Sequence, residues 1–553
     1  MNKMPATTPS DAALVSLIIR WSAPVALGSW ILATYLYAAI SLPLPNVACP
    51  QDLGLMLDAG WRYYQGLRPH ADYHTPLGPL FAMVFGLPMK AFGPSYSSLQ
   101  FLQPTLSALT ALWTWALCRR SLPRWLAAMT SMAMGAITGG LYHQGFPPQA
   151  LTFATSYNRI GFGILGIVAL ASMLPRKENG DLANRIMDCS VAVGVVLLAF
   201  LKANFAVAAA PFALCCALVS RRTRADWTVL AAVFGLTTLF FLYQIGFRID
   251  KMLGDLLLTA KVRSEGVGVL FFPVRNALAN YDFFLVLALH SALWVPRYDA
   301  EAVSGRRALA ALCAIWLSAL VGLALTVVSS HGDGREISLV LAAAASSSAW
   351  LLSASDTELR SQRLFGPALL KRDYAAITTA VIALLFIVPH AQAYLFLRQV
   401  SESINAPQFP PGPLRSLFVG NWANVLGPDC VPKMNEAIRL VSEHCEPGDS
   451  LQYTGGTNIY TFACGMRSPR NSVIYWDNIS TYNSRHHPPA TDLSDTDFIM
   501  VPKPGLTVNN TSDDWITIYG YYVLTHYDVC EETSFFTLYK HKQVDERRAA
   551  AKK

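Results

Sequence analysis

Apolar stretches recur along the chain at about the length of a bilayer crossing, separated by short polar connections. A crossing helix needs about 20 mainly apolar residues. Stretches that meet or approach this length fall near 22–42, 99–117, 125–141, 159–174, 186–201, 203–219, 227–246, 281–295, 308–329, 337–353 and 374–396. They predict about 11 transmembrane helices. One further apolar run, "LGPLFAMVFGLPMKAFG" (77–93), holds Pro88 and Lys90. It reads as a short helix lying at the membrane surface. Beyond about residue 400 the pattern changes. "MNEAIRLVSEHC" has helical periodicity, while "SLQYTG", "SVIYWD", "DFIMVPK" and "FFTLYKHK" read as short strands between turns. The expected fold is a polytopic α-helical membrane protein with a small α/β extracytoplasmic C-terminal domain. The membrane module spans 1–396, with a first outer loop at 43–98 carrying juxtamembrane helices. The α/β domain covers 397–545, and 546–553 reads as a disordered tail.

Composition supports this class. Of 553 residues, 53% are hydrophobic and 14% charged, against about 25% charged in soluble proteins. The first apolar run, Val15 to Leu42, exceeds the signal-peptide core of about 7–15 residues and lacks a small-residue cleavage pattern, so it is expected to remain as an anchor. The net charge of +7 would suit a nucleic-acid binder if it formed a face with interleaved aromatics. Instead the cations cluster between apolar runs, in "CRRSLPR" (118–124), "PRKENGDLANR" (175–185), "SRRTRAD" (220–226), "PRYDAEAVSGRR" (296–307) and "TELRSQRLFGPALLKRD" (357–373). All of these fall on one side if the N-terminus is cytoplasmic. The loops at 43–98, 142–158, 202–204, 247–280 and 330–336, and everything after about 397, then face outward. Counting 77–93 as a crossing would turn the basic clusters outward. The expected location is a bacterial inner (plasma) membrane, with the outward loops in the periplasm.

Ten cysteines are present. Cys118, Cys189, Cys215, Cys216 and Cys313 lie in or near apolar runs, where a thiol packs as a small hydrophobe. Cys430, Cys445, Cys464 and Cys530 lie in the C-terminal region and are expected to form up to two disulfides of undetermined connectivity. No Cys/His zinc spacing, P-loop, dinucleotide fingerprint or Gly-x-Ser-x-Gly elbow occurs. "DTD" (495–497) matches a nucleotide-sugar metal motif but directly precedes an expected strand in an outward-facing domain, so it is set aside. His331 and Asp333 are two candidate ligands, too few for a metal site.

The stretch "QDLGLMLDAGWRYYQGLRPHADYHTPLGPL" (51–80) is the most specific on the chain. Asp52 precedes an apolar face of Leu53, Met56, Leu57, Gly60, Trp61 and Tyr64, which places it as the N-cap of an amphipathic helix. Asp58 and Arg62, four residues apart, are expected to form an exposed ion pair. Asp72 either orders its turn or faces a site. The ordered set Asp52, Gly66, Pro69, Asp72, Tyr73, Pro76, Leu77, Phe92 and Gly93 resembles the first outer loop of GT-C glycosyltransferases, among them the protein mannosyltransferases and the aminoarabinose transferases that modify lipid A. One departure is Thr75 before Pro76, where many relatives carry a second proline.

That resemblance implies a sugar donor carried on a polyprenyl phosphate and a transfer at the outer membrane face. An inverting transfer needs a base for the acceptor hydroxyl, and Asp52 is the candidate. The leaving phosphate calls for fixed positive charge. Lys202 in "FLKANF", Tyr157, Asn158 and Arg159 in "TSYNRIGFG", Lys261 and Arg263 in a loop expected over 247–280, and Arg335 are the candidate donor contacts. A lysine at a tight join between apolar runs is costly unless it snorkels or meets an anion. Asp72, Tyr73, His74 and Glu336 are candidates to shape the site or bind the acceptor. No cofactor is implied beyond the lipid-linked donor; a divalent cation stays an open alternative. The sugar, the acceptor (glycan, lipid or protein) and the oligomeric state also stay open. A lipid-linked substrate transporter or flippase, or a non-catalytic scaffold, are the alternatives; neither repeated halves nor paired interrupted spans occur to favour transport.

Overall fold

The computed structural model describes residues 9–40, 50–141, 147–152, 155–176, 182–219, 223–264, 277–278, 280–292, 312–325, 337–353, 368–404, 430–478, 481–504 and 511–551. It is mostly helical. The apolar runs form α1 (Pro9–Ile40), α4 (Leu102–Cys118), α5 (Arg124–Gly139), α6 (Ser156–Met173), α7 (Leu182–Ala199), α8 (Ala203–Val219), α9 (Arg224–Gln244), α11 (Tyr281–Ser291), α12 (Leu312–Leu325), α13 (Ser338–Ser353) and α14 (Ala368–Ile404). Among the described residues, four helices are long and apolar enough to cross a membrane, over Trp21–Ile40, Leu182–Ala199, Arg224–Gln244 and Arg372–Leu397. Helix α5 packs against α4, α6 and α14, and α6 packs against α7, α8 and α13. The helices turn large apolar side chains outward as well: Phe234, Leu236, Leu239 and Phe240 on α9 and Leu109 and Leu112 on α4 are all exposed. Helices that bury one apolar face on neighbours and leave another uncovered are suited to hydrocarbon rather than water.

The first polar loop contributes α2 (Pro50–Tyr64) and α3 (Pro79–Phe92), which pack on each other. Helix α3 is the short apolar segment around Pro88. Helix α10 (Ile249–Ser264) replaces the loop expected there. Many of its positions, Asp250 and Lys261 among them, are exposed, so its sequence lacks the apolar periodicity of a buried helix, while Asp255 is a buried charge.

The C-terminal domain comprises α15 (Cys430–His444), β1 (Leu451–Tyr453), α16 (Ile459–Ala463), β2 (Phe498–Pro502), α17 (Thr511–His526), β3 (Tyr527–Glu532), β4 (Phe536–His541) and α18 (Val544–Ala551). Its sheet has the order β1-β2-β4-β3, with β1 parallel to β2 and the other pairs antiparallel. Three of the four expected strands form. The fourth, "SVIYWD", makes only isolated bridges, Val473 with His74 and Tyr475 with Thr457, because it spans between the domain and the first loop. Residues 546–551, within the 546–553 stretch expected to be disordered, belong to α18: Arg547 pairs with Asp497 at 3.0 Å and Arg548 with Asp449 at 2.5 Å. The disulfide expectation also fails for the cysteines described. Cys445, Cys464 and Cys530 are free thiols packed against the sheet's apolar core. The "DTD" carboxylates are ion-pair partners, with Arg467 3.2 Å from both Asp495 and Asp497.

Candidate active site

Helix α2 starts at Pro50, a residue suited to a first helical turn, so Asp52 lies inside that turn rather than at the cap. Its carboxylate is partly exposed, and Oδ2 accepts the backbone N–H of Thr155 at 2.7 Å. Thr155 precedes α6 with φ 54°, a left-handed conformation uncommon for a β-branched residue. It joins α2 to the α6 start, where Tyr157 and Asn158 follow.

Four other segments converge here. The join between α7 and α8 carries Lys202, whose Nζ donates to Asn158 Oδ1 at 2.9 Å and lies 5.0 Å from the centre of the Tyr157 ring. The first loop fixes this join directly: Gly78 N donates to Leu201 O and Leu80 N to Phe200 O, each at 3.0 Å. Only glycine fits at 78, because a Cβ there would stand 2.1 Å from Phe200 O. Phe81 of α3 then meets Tyr157 edge to face at 5.7 Å. Helix α10 contributes Arg263, whose charge acts on both Lys202 and Tyr157. The C-terminal domain contributes Tyr475 and Asp477, which act electrostatically on Tyr157 together with Asp52. Gly54 lets that domain approach, since a Cβ on it would meet Thr457 Oγ1 at 2.4 Å, and Thr457 bridges to Tyr475.

The electrostatics suit an anion. Burial, joined by repulsion from Arg263 and opposed by Asp52, lowers the Lys202 ammonium to about 7. Lys202 is half-buried as a residue, but its charged end is enclosed by the α6 side chains. A bound phosphate would supply the counter-charge the ammonium needs.

The remaining candidates are placed elsewhere. Arg159 is fully buried and turned away; Nη2 donates to Thr152 O at 3.2 Å and Ser156 Oγ at 2.8 Å, and Nη1 to Gly140 O. It ties Gly140 and Thr152 to the start of α6. Lys261 is exposed on α10. Asp72 orders its turn by accepting Arg68 N at 2.7 Å. Tyr73 is buried beneath the Arg62 guanidinium, 4.9 Å from the ring centre. His74 bridges Asp255 and Asp492 instead of facing Asp52. Arg335 and Glu336, with His331 and Asp333, lie outside the described residues.

The Asp58–Arg62 pair, expected at the surface, is fully buried at 3.0 Å. The reason lies some 400 residues away in sequence: the C-terminal domain covers it. Arg62 Nη1 donates to Pro469 O at 3.2 Å and Ser472 Oγ at 3.1 Å, and Trp61 Nε1 to Met466 O at 2.9 Å. Among the described residues, one group of metal-type side chains converges, Glu443, His444 and Glu531 on the C-terminal domain. Arg439 already pairs with both glutamates.

No protein-family profile and no curated protein sequence matches the chain. Solved structures similar to it include ArnT from Cupriavidus metallidurans in the apo state, at 12% identity and TM-score 0.49 over 94% of this chain and 98% of that one. The oligosaccharyltransferase from Archaeoglobus fulgidus tethered to an acceptor peptide is similar at 12% identity and TM-score 0.39, over 88% and 70%. The archaeal oligosaccharyltransferase AglB from Archaeoglobus fulgidus, bound to an inhibitory peptide and a dolichol-phosphate, is similar at 12% and TM-score 0.31, over 86% and 69%. At that level of likeness it is the side chains around Asp52 that bear on function.

Proposed function

We propose that this chain is an integral-membrane glycosyltransferase that moves a sugar from a polyprenyl-phosphate donor to a hydroxyl of a cell-envelope acceptor, with inversion, at the periplasmic face of the inner membrane. The observation that carries the reading is the convergence of one partly exposed carboxylate, Asp52, with Lys202 and Arg263 from two other segments. The chemistry follows from their placement. Asp52 takes the acceptor O–H proton as the oxygen attacks the anomeric carbon. The bond from that carbon to the phosphate oxygen breaks, and the polyprenyl phosphate leaves with the electron pair. Lys202 and Arg263 offset the charge gathering on it, and Tyr157 and Asn158 hold Lys202 in place. Tyr475 and Asp477 sit on the C-terminal side, where an acceptor would enter.

Asp52→Asn tests the reading. In nanodiscs, with a labelled polyprenyl-phosphate sugar and envelope extract as acceptor, transfer should fall by about 10²–10⁴-fold, while polyprenyl phosphate still binds. Undiminished transfer would remove Asp52 from the role of base.

A further inference from the structure

Helix α10 is poorly buried for a segment that carries a site residue. Between Ile249 and Arg263, only Asp255 and Val262 are buried, seven residues apart on one face, while Leu253 and Leu257 are exposed. Two buried positions give little apolar hold on a helix of this length. What grips α10 instead is polar and centred on Asp255. His70 Nδ1 lies 2.7 Å from Asp255 Oδ2, His74 Nδ1 lies 2.6 Å from Oδ1, and Thr75 N donates to Oδ2 at 3.3 Å. Lys251, one turn earlier, donates to Ala71 O at 3.1 Å. The second His74 nitrogen, Nε2, meets Asp492 of the C-terminal domain at 3.0 Å.

The proton positions follow from the partners. A carboxylate only accepts, so both ring nitrogens of His74 carry protons and the ring is an imidazolium. Burial opposes that charge, but the hydrogen bonds to Asp255 and Asp492 overcome it and raise His74 to about 9. Asp255 is likewise held below its ordinary value by His70 and His74, against the effect of burial. The first loop, α10 and the C-terminal domain therefore meet at one charged junction. Eight residues beyond Asp255, about 12 Å along the helix, Arg263 comes within electrostatic range of Lys202 and Tyr157.

We propose that Asp255, clamped by His70 and His74, is a positioning residue that sets Arg263 against the donor phosphate. The inference rests on the donor reading above. Without the clamp, α10 keeps its helical hydrogen bonds but loses its fixed angle to the first loop, and Arg263 no longer stays beside Lys202.

A double-mutant cycle tests this. Binding of a polyprenyl phosphate in nanodiscs is measured for the wild type, Asp255→Asn, Arg263→Ala and the pair, with amide hydrogen exchange of 249–264 followed in parallel. Asp255→Asn should weaken binding about tenfold, comparable to losing one hydrogen bond to a charged group. Exchange should rise across α10 and stay unchanged in α2. The pair should bind no more weakly than Arg263→Ala alone, since Asp255 acts through Arg263. His74→Gln, which keeps neutral hydrogen bonding, should shift binding the same way by less. Additive losses, or Asp255→Asn binding as the wild type does, would overturn the inference while leaving the donor reading intact. A wild type that binds no polyprenyl phosphate would overturn both.

Discussion

Replacing Lys202 by methionine removes the ammonium at the α7–α8 join while keeping an apolar stem of similar length. The lost interaction is one hydrogen bond from a charged group to a phosphate, with a net value of about 1.5–3 kcal/mol. That corresponds to a fall of about 10- to 150-fold in kcat/KM for the donor. The pH dependence is more discriminating than the magnitude. With Lys202 lowered to about 7, the free enzyme presents a cation below that pH and a neutral amine above it. Because kcat/KM reports free-enzyme groups, it should be highest below pH 7 and decline as pH rises through 7. Binding above pH 7 should also take up a proton. Lys202→Arg keeps its charge throughout and should lose the decline, even where its bulk lowers activity. Initial rates with a labelled polyprenyl-phosphate sugar between pH 6 and 9, for the three proteins, separate these outcomes. If the decline near pH 7 persists in Lys202→Met, or if kcat/KM is unchanged in that variant, Lys202 is not the phosphate contact.

Two further outcomes concern how the site is held. Arg62→Met leaves the buried Asp58 without its cation and should cost about 3–5 kcal/mol, whereas Asp58→Asn keeps an acceptor for Arg62 and should cost less; thermal unfolding in detergent ranks them, and an Arg62→Met protein as stable as the wild type contradicts the burial. Gly78→Ala drives a methyl into the Phe200 carbonyl, so it should displace the Lys202 join and weaken polyprenyl-phosphate binding, with unchanged binding as the contrary result.

Much of this arrangement is legible in the sequence because its signals are local. Long apolar runs become helices wherever they lie, and Lys202 stands out because a cation between two such runs needs an anion or a route to water. Tyr157 and Asn158 follow from adjacency to a helix start. What could not be read depends on distant partners. The helical spacing of Asp58 and Arg62 fits an exposed pair as well as a buried one, and only Pro469 and Ser472 decide between them. Arg159 looks like its neighbours Tyr157 and Asn158, yet two residues along a helix turn a side chain to another face, and it points into the bundle. Asp255, in a stretch read as loop, gives no sign that His70 and His74 will grip it. Tyr475 and Asp477 sit in an apparent strand whose real partners are the first loop and Thr457. Strand β3 was hidden because its side chains alternate poorly, running "YDVCEE".

The contacts between α2 and the C-terminal domain set a timetable as well as a shape. Arg62 and Pro469 are 407 residues apart, and a ribosome adding about 5–20 residues per second separates their emergence by roughly 20–80 s. Throughout that interval the nascent first loop holds an ion pair and an indole N–H whose partners have not yet been made. Until then these groups bond to water, and a chain ending before residue 466 would leave them there.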